Sequence, residues 1–217
     1  MPGFETERTA LVESLWGRGI KSENVKKAFL NAKREIFVPE GMQKFAYADD
    51  ALPIGFGQTI SQPTTIAAML ELLCAKEGMK VLEVGSGTGY VSALLSEIVG
   101  KKGKVYGIEF LEWLAEASKK NLKKQGCKNV KIFQGDGTKG LPEKAPFDRI
   151  LVSAACPFVP KPLFDQLAEG GKIVAPVGDK YTQTLETVSK VKGRILKSSY
   201  QEGYFVFVPL RGEFGFE

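Results

Sequence analysis

The sequence predicts an α/β fold: a doubly wound, mostly parallel sheet with an antiparallel C-terminal edge and a helical N-terminal cap. Three observations carry this. From Lys80 onward, short apolar runs alternate with segments of helical period, a pattern that implies right-handed strand–helix–strand crossovers. A glycine-rich turn, Gly85-Ser86-Gly87-Thr88-Gly89, joins the first such run to the first such helix. The tail from Leu185 to Leu210 has no helical pattern and reads as antiparallel strands closing one edge of the sheet.

Taken in order, the first quarter reads as helices. Leu11, Val12, Leu15 and Trp16 share one face of a helix over Thr6 to Arg18. Ser22 caps a second that runs to Ala32, with Val25, Ala28 and Phe29 inward. Pro39 and Gly41 break regular structure, and Tyr47 to Gln62 reads as an ordered loop because of Pro53, Gly55 and Gly57. Pro63 opens a third helix that places Ile66, Met69, Leu70 and Leu73 on one side. Strands follow at Val81–Val84, Val105–Ile108, Val130–Phe133, Ile150–Val152 and Ile173–Val177, separated by helices over Tyr90–Val99, Leu111–Gln125 and Pro162–Ala168. Leu185–Val191 and Tyr204–Val208 are the expected edge strands.

Composition narrows the function classes. At 217 residues the chain suits one domain: a cap and loop over 1–78, then an α/β core over 79–217. No apolar run approaches the ~20 residues that span a bilayer, and the N-terminus lacks a secretory pattern, so a cytoplasmic protein is expected. Cys74, Cys127 and Cys156 show no C-x-x-C spacing, which argues against a disulfide framework or a zinc site. The chain has no histidine, so nucleophile systems built on a histidine base are excluded and no metal is expected. The net charge of +5 is spread along the chain, and Lys119, Lys120, Lys123 and Lys124 make the solvated face of one helix.

In an open parallel sheet, ligands bind past the carboxyl ends of the strands. There the glycines of Gly85-Ser86-Gly87-Thr88-Gly89 let the chain turn sharply and approach a ligand closely. Their G-x-G-x-G spacing is not the dinucleotide G-x-G-x-x-G. Glu109 ends the second strand, placed to accept from two ribose hydroxyls. Asp136, in Gln134-Gly135-Asp136-Gly137, is placed to accept from an exocyclic adenine amine. Glu83 is placed to meet an ammonium. Three carboxylates around one cleft repel a pyrophosphate but suit a sulfonium and ammonium ligand, S-adenosyl-L-methionine.

The run Val81-Leu82-Glu83-Val84-Gly85-Ser86-Gly87-Thr88-Gly89-Tyr90 resembles the first motif of class I (Rossmann-like) methyltransferases. Flanking segments resemble one family of that class, protein-L-isoaspartate (D-aspartate) O-methyltransferase. They are Arg34-Glu35-Ile36-Phe37-Val38-Pro39, Leu52-Pro53-Ile54-Gly55-Phe56-Gly57-Gln58-Thr59-Ile60-Ser61-Gln62-Pro63, the stretches 147–155 and 170–178, and Val206-Phe207-Val208-Pro209-Leu210. The Gly-Gln-Thr-Ile-Ser-Gln-Pro run is the family-specific part.

The resemblance implies a repair enzyme that methylates the α-carboxylate of L-isoaspartyl residues in damaged proteins, leaving S-adenosyl-L-homocysteine. By position, Ser61 matches the family's active-site serine, and Gln58, Thr59 and Ile60 line the cofactor. Glu83, Gly85, Gly87, Glu109, Asp136 and Gly137 match its cofactor contacts, while Val208 and Leu210 lie where substrate backbone is met. Ile66 stands where some members carry a histidine, and residues 211–217 have no firm match.

The chemistry suits these residues. A carboxylate of pKa ~4 is already ionised at neutral pH, so no general base is needed; alignment and removal of water suffice. Ser61 can hold the acceptor carboxylate, or cap the helix that begins at Pro63. Rival readings are a methyltransferase acting on RNA, a nicotinamide-dependent oxidoreductase, and a binding module that keeps the fold without catalysis. Isoaspartyl-containing peptides and proteins are the expected partners, with no nucleic acid and no membrane.

Overall fold

The computed structural model describes residues 3–18 and 20–216. Three N-terminal helices pack on one face of the sheet. Helix α1 (Glu5–Gly17) buries Leu11, Val12 and Leu15. Helix α2 (Glu23–Asn31) buries Val25, Ala28 and Phe29, and the Ser22 side chain caps it by accepting from Val25 N. The stretch read as a loop holds a small antiparallel hairpin, β1 (Leu52–Gly55) and β2 (Gln58–Ile60). Strands of four and three residues are too short to show a period, so only the breakers were visible in the sequence. Helix α3 (Pro63–Leu73) follows, with Pro63 in its first turn and Ile66, Met69, Leu70 and Leu73 buried.

The core runs β3 (Lys80–Val84), α4 (Tyr90–Val99), β4 (Lys104–Glu109), α5 (Glu112–Gln125), β5 (Val130–Gln134), β6 (Phe147–Val152), α6 (Lys161–Asp165), β7 (Leu167–Gly178), β8 (Gln183–Val191) and β9 (Arg194–Phe205). Among the described residues these strands form a seven-stranded sheet in the order β5-β4-β3-β6-β7-β8-β9. Strands β3 to β7 are parallel, and β8 and β9 add an antiparallel edge. Two expectations change here. Helix α6 stops at Asp165 and β7 begins at Leu167, earlier than the apolar run Ile173–Val177 indicated. The last strand is Arg194–Phe205 rather than Tyr204–Val208. It is held by its ladder to β8 while Ile195, Leu196 and Tyr204 lie exposed, so burial periodicity gave no signal for it.

Alternation along the strands divides the apolar core into two layers. Val81, Val105, Leu151 and Val174 face the side covered by α1 to α5, while Leu82, Val84, Ile108, Ile150 and Ile173 face the side of Leu163 in α6. Both faces are covered, which is why these strands read as continuous apolar runs. From β3 the chain steps outward to β4 and β5, then crosses back to β6 on the other side of β3. The order therefore reverses between β3 and β6, and a crevice opens beyond their carboxyl ends.

Candidate active site

The floor of the crevice is the turn from β3 into α4. Gly87 has φ of +54°, a Cβ there would meet nothing within 4 Å, and the residue lines the cleft. Gly89 has φ of +93° and a Cβ would lie 2.5 Å from Ser118 Oγ; glycine is needed for α4 to sit against α5. The amides of Gly85 and Ser86 donate to Ile108 O at 2.8 and 3.1 Å, and Gly89 N donates to Ser86 O at 2.8 Å. Gly87 N donates to Glu109 Oε2 at 2.8 Å. These four amides are committed to protein acceptors and form no cradle for a pyrophosphate, which needs donors aimed outward.

Glu109, 6% exposed at the end of β4, is clamped on both oxygens, since Leu111 N donates to Oε1 at 3.0 Å. Each oxygen keeps a second lone pair, and the residue lines the cleft. The cleft encloses about 610 Å³ counting its open mouth. Gln58, Thr59, Gly85, Gly87, Glu109, Gly137, Val208 and Leu210 all line it, so eight of the expected site residues share one cavity. Its apolar wall is Ile108, Leu111 and Leu114. The β1–β2 hairpin forms the roof: Ile54 lines the cleft, and the ring of Phe56 at the tip lies 5.2 Å from that of Trp113 in α5.

A second pocket of about 740 Å³ adjoins the first, and Thr59, Ser153 and Val208 line both. Ser61 lines this second pocket together with Gln62, Thr65 and Phe207. Ser61 does not cap α3. Gln62 holds the N-cap position without a side-chain bond, and Asp49 Oδ1 accepts from Thr64 N at 2.8 Å instead. Among the described residues, no lysine or arginine lines the second pocket.

Three expected residues lie elsewhere. Ile60 is a core residue, 5% exposed, because alternation along β2 turns it inward. Glu83 is 1% exposed and does not line the cleft. It shares the α4 side of β3 with Val81, where Ser92 Oγ donates to Oε2 and Ser153 Oγ donates to Oε1 at 3.0 Å. Burial pushes the Glu83 carboxyl up, the two serine hydrogen bonds pull it down, and the charge of Glu109 adds a push upward, leaving it at about 7. Asp136 is half-buried and does not line the cleft, although Gly137 does. It accepts from Thr138 N at 2.9 Å, from Thr138 Oγ1 at 2.6 Å and from Glu213 N at 2.9 Å. Burial pushes its carboxyl up, but these bonds outweigh that and hold it below the usual carboxylate range. Three of its four lone-pair sites are taken.

Sequence reasoning missed two contributors. Ser153 follows β6, the partner of β3 at the reversal, so its place just past a strand end was a usable signal. The C-terminal segment had none. It returns across the strand ends, with Leu210 N donating to Ala155 O at 2.7 Å, then reaches Asp136 through Glu213 and places exposed Arg211 at the mouth of the cleft. Among the described residues, no group of three or more Cys, Asp or Glu is suited to a metal ion, and no helix is long and apolar enough to cross a membrane.

Comparison with known proteins shows the family. The family model for protein-L-isoaspartate(D-aspartate) O-methyltransferase matches residues 6–214. A protein-L-isoaspartate O-methyltransferase of Hyperthermus butylicus is 48% identical over 98% of this chain and 91% of its own length. One from Petrotoga mobilis is 48% identical over 98% and 99%. Among solved structures, a protein-L-isoaspartate O-methyltransferase superposes with a TM-score of 0.87 at 33% identity, covering 96% of this chain and 67% of that one. A Plasmodium falciparum protein described as a putative member, in complex with S-adenosyl-L-homocysteine, gives 0.81 at 30% identity, covering 93% and 97%. This chain belongs to the protein-L-isoaspartate(D-aspartate) O-methyltransferase family.

Proposed function

We propose that the chain transfers the methyl group of S-adenosylmethionine to the α-carboxylate of L-isoaspartyl residues in damaged proteins. The cofactor would occupy the cleft over the glycine turn, and the isoaspartyl group the pocket that holds Ser61. The observation that carries this is the junction of the two cavities at Thr59, Ser153 and Val208. A group bound in one can meet a group bound in the other with little water between them, which is what a transferase requires.

The residues suit the cofactor. The clamped Glu109 carboxylate offers acceptors for a diol, the wall of Ile108, Leu111 and Leu114 suits a flat apolar base, and the open side of Gly87 admits close approach. Glu83 acts by charge through the wall rather than by contact. Asp136 has one lone pair left for an adenine amine. Bound S-adenosylmethionine supplies an electrophilic methyl on a sulfonium and leaves as S-adenosylhomocysteine.

Ser61 holds the acceptor carboxylate, already ionised, so no side chain need remove a proton. Val208, shared by both cavities, and Leu210 lie along the segment that substrate backbone meets. The expected partners are isoaspartyl peptides and proteins, not nucleic acids, the expected setting is the cytoplasm, and the 217 residues are expected to act as one methyltransferase domain.

Calorimetry at pH 7 tests the cofactor half. With Glu83 near pKa 7 in the empty protein, a cation bound nearby lowers that value, so S-adenosylmethionine should bind with proton release. In Glu83→Gln the release should vanish. NAD and transfer RNA should not bind. Binding of NAD without S-adenosylmethionine would reject the reading.

A further inference from the structure

Arg34 is fully buried, the one cation among the buried polar residues described. Buried charges ordinarily sit against an opposite charge, yet no hydrogen bond from Arg34 to a carboxylate is found among the described residues. The nearby acids are engaged: Asp49 receives Arg18 Nη1 at 2.6 Å and the Thr64 amide and hydroxyl, and Glu35 receives the Tyr47 hydroxyl. Arg34 Nη2 instead donates to two backbone carbonyls, Ser61 O at 3.0 Å and Asp50 O at 3.4 Å. Its guanidinium lies 5.0 Å from the centroid of the Tyr90 ring and interacts with the Tyr90 hydroxyl, while Nε and Nη1 make no hydrogen bond of ordinary geometry.

These contacts fall at three functional places. Asp50 lies just before β1 and Ser61 just after β2, so one guanidinium ties together both ends of the hairpin that roofs the cofactor cleft. Tyr90 is the first residue of α4, directly after the glycine turn. The charge lies one peptide behind the serine that faces the acceptor pocket, and that pocket has no lysine or arginine of its own among the described residues. An apolar side chain of similar length would fill the same space without desolvating a cation. It would also leave the Ser61 and Asp50 carbonyls without this donor, so these bonds account for a guanidinium here; its charge adds a positive potential that, in a water-poor interior, favours a carboxylate over a neutral group.

We propose that Arg34 is a positioning and specificity residue for the acceptor site, its planar fork fixing the hairpin ends and its charge favouring a carboxylate beside Ser61. The specificity half rests on the isoaspartyl reading; the fixing of the hairpin does not.

The test compares wild type with Arg34→Met and Arg34→Lys, each also titrated with S-adenosylmethionine. Hydrogen exchange reads the hairpin without any substrate. Arg34→Met should lose protection across residues 50–61 while the strands of the sheet keep theirs. In competition binding at saturating cofactor, the wild type should prefer an isoaspartyl peptide to its neutral α-carboxamide twin, and Arg34→Met should lose at least tenfold of that preference. Arg34→Lys retains the charge without the fork, so it should keep most of the preference but not the protection. If Arg34→Met does not fold, Arg34→Lys carries the test, and wild-type exchange in that variant overturns the role of the fork. Wild-type exchange and preference in a folded Arg34→Met overturns the whole proposal. Failure of the wild type to discriminate the two peptides removes the specificity half and the isoaspartyl reading, and leaves the exchange result standing by itself.

Discussion

Glu109→Ala is expected to weaken S-adenosylmethionine binding by about 1.5–3 kcal/mol, roughly 10- to 150-fold, the range for hydrogen bonds to a charged acceptor. Two losses add. The variant removes the acceptors proposed for the ribose diol, and it also releases Gly87 N and Leu111 N, which donate to the two carboxylate oxygens at 2.8 and 3.0 Å. The floor of the cleft then loses the clamp that fixes its shape. Glu109→Gln separates the contributions: it keeps the side-chain length but turns one oxygen into an NH2 that faces a backbone N–H. That variant should lose about as much affinity as alanine. The measurement is titration calorimetry on variants whose circular dichroism matches wild type. An unchanged dissociation constant in a folded Glu109→Ala would falsify the assignment of the cleft.

Ser61→Ala should slow methyl transfer to an isoaspartyl peptide by roughly 10- to 100-fold, the size of one lost hydrogen bond to a charged group. Affinity for S-adenosylmethionine should change by less than about tenfold, because Gln58 and Thr59 line the cofactor cleft and Ser61 lines only the adjoining pocket. Stability should stay within about 0.5 kcal/mol, as for a surface change that breaks no special feature. Asp49, not Ser61, accepts from the first turn of α3, and Arg34 holds Ser61 by its backbone carbonyl, which alanine retains. Single-turnover transfer at saturating cofactor reads the chemistry directly. Wild-type transfer by Ser61→Ala would mean that backbone groups hold the acceptor.

The parallel core was legible because each of its signals is local. Apolar runs next to glycine or proline breakers mark β3, β4 and β6, and the amphipathic spacing of Leu114, Ser118 and Leu122 marks α5. The glycine turn could be read for the same reason: Gly87 and Gly89 have left-handed φ within a five-residue segment. What escaped depends on distant partners or on orientation. Asp136 was placed correctly after β5, but its carboxylate is largely spent on its own turn and on an amide 77 residues away. Glu83 lies next to the turn in sequence, yet strand alternation directs it beneath α4 toward Ser92. Arg34 begins the run Arg34-Glu35-Ile36-Phe37-Val38-Pro39, but a charged residue in a short helical turn reads as exposed, and only the packed fold reveals it at 0% exposure. The edge strand β9 leaves Ile195, Leu196 and Tyr204 exposed and is held by backbone pairing, so no burial pattern located it.

The central claim is that a carboxylate acceptor meets the cofactor where the two cavities join. Transfer of isotopically labelled methyl to a peptide containing L-isoaspartate, beside its twin with ordinary L-aspartate at the same position, tests it most directly. The account predicts base-labile methyl ester on the isoaspartyl peptide and at least a hundredfold less on the aspartyl twin, since only the former presents an α-carboxylate at that residue. Equal labelling of both peptides, or of neither while S-adenosylmethionine binds normally, would contradict it.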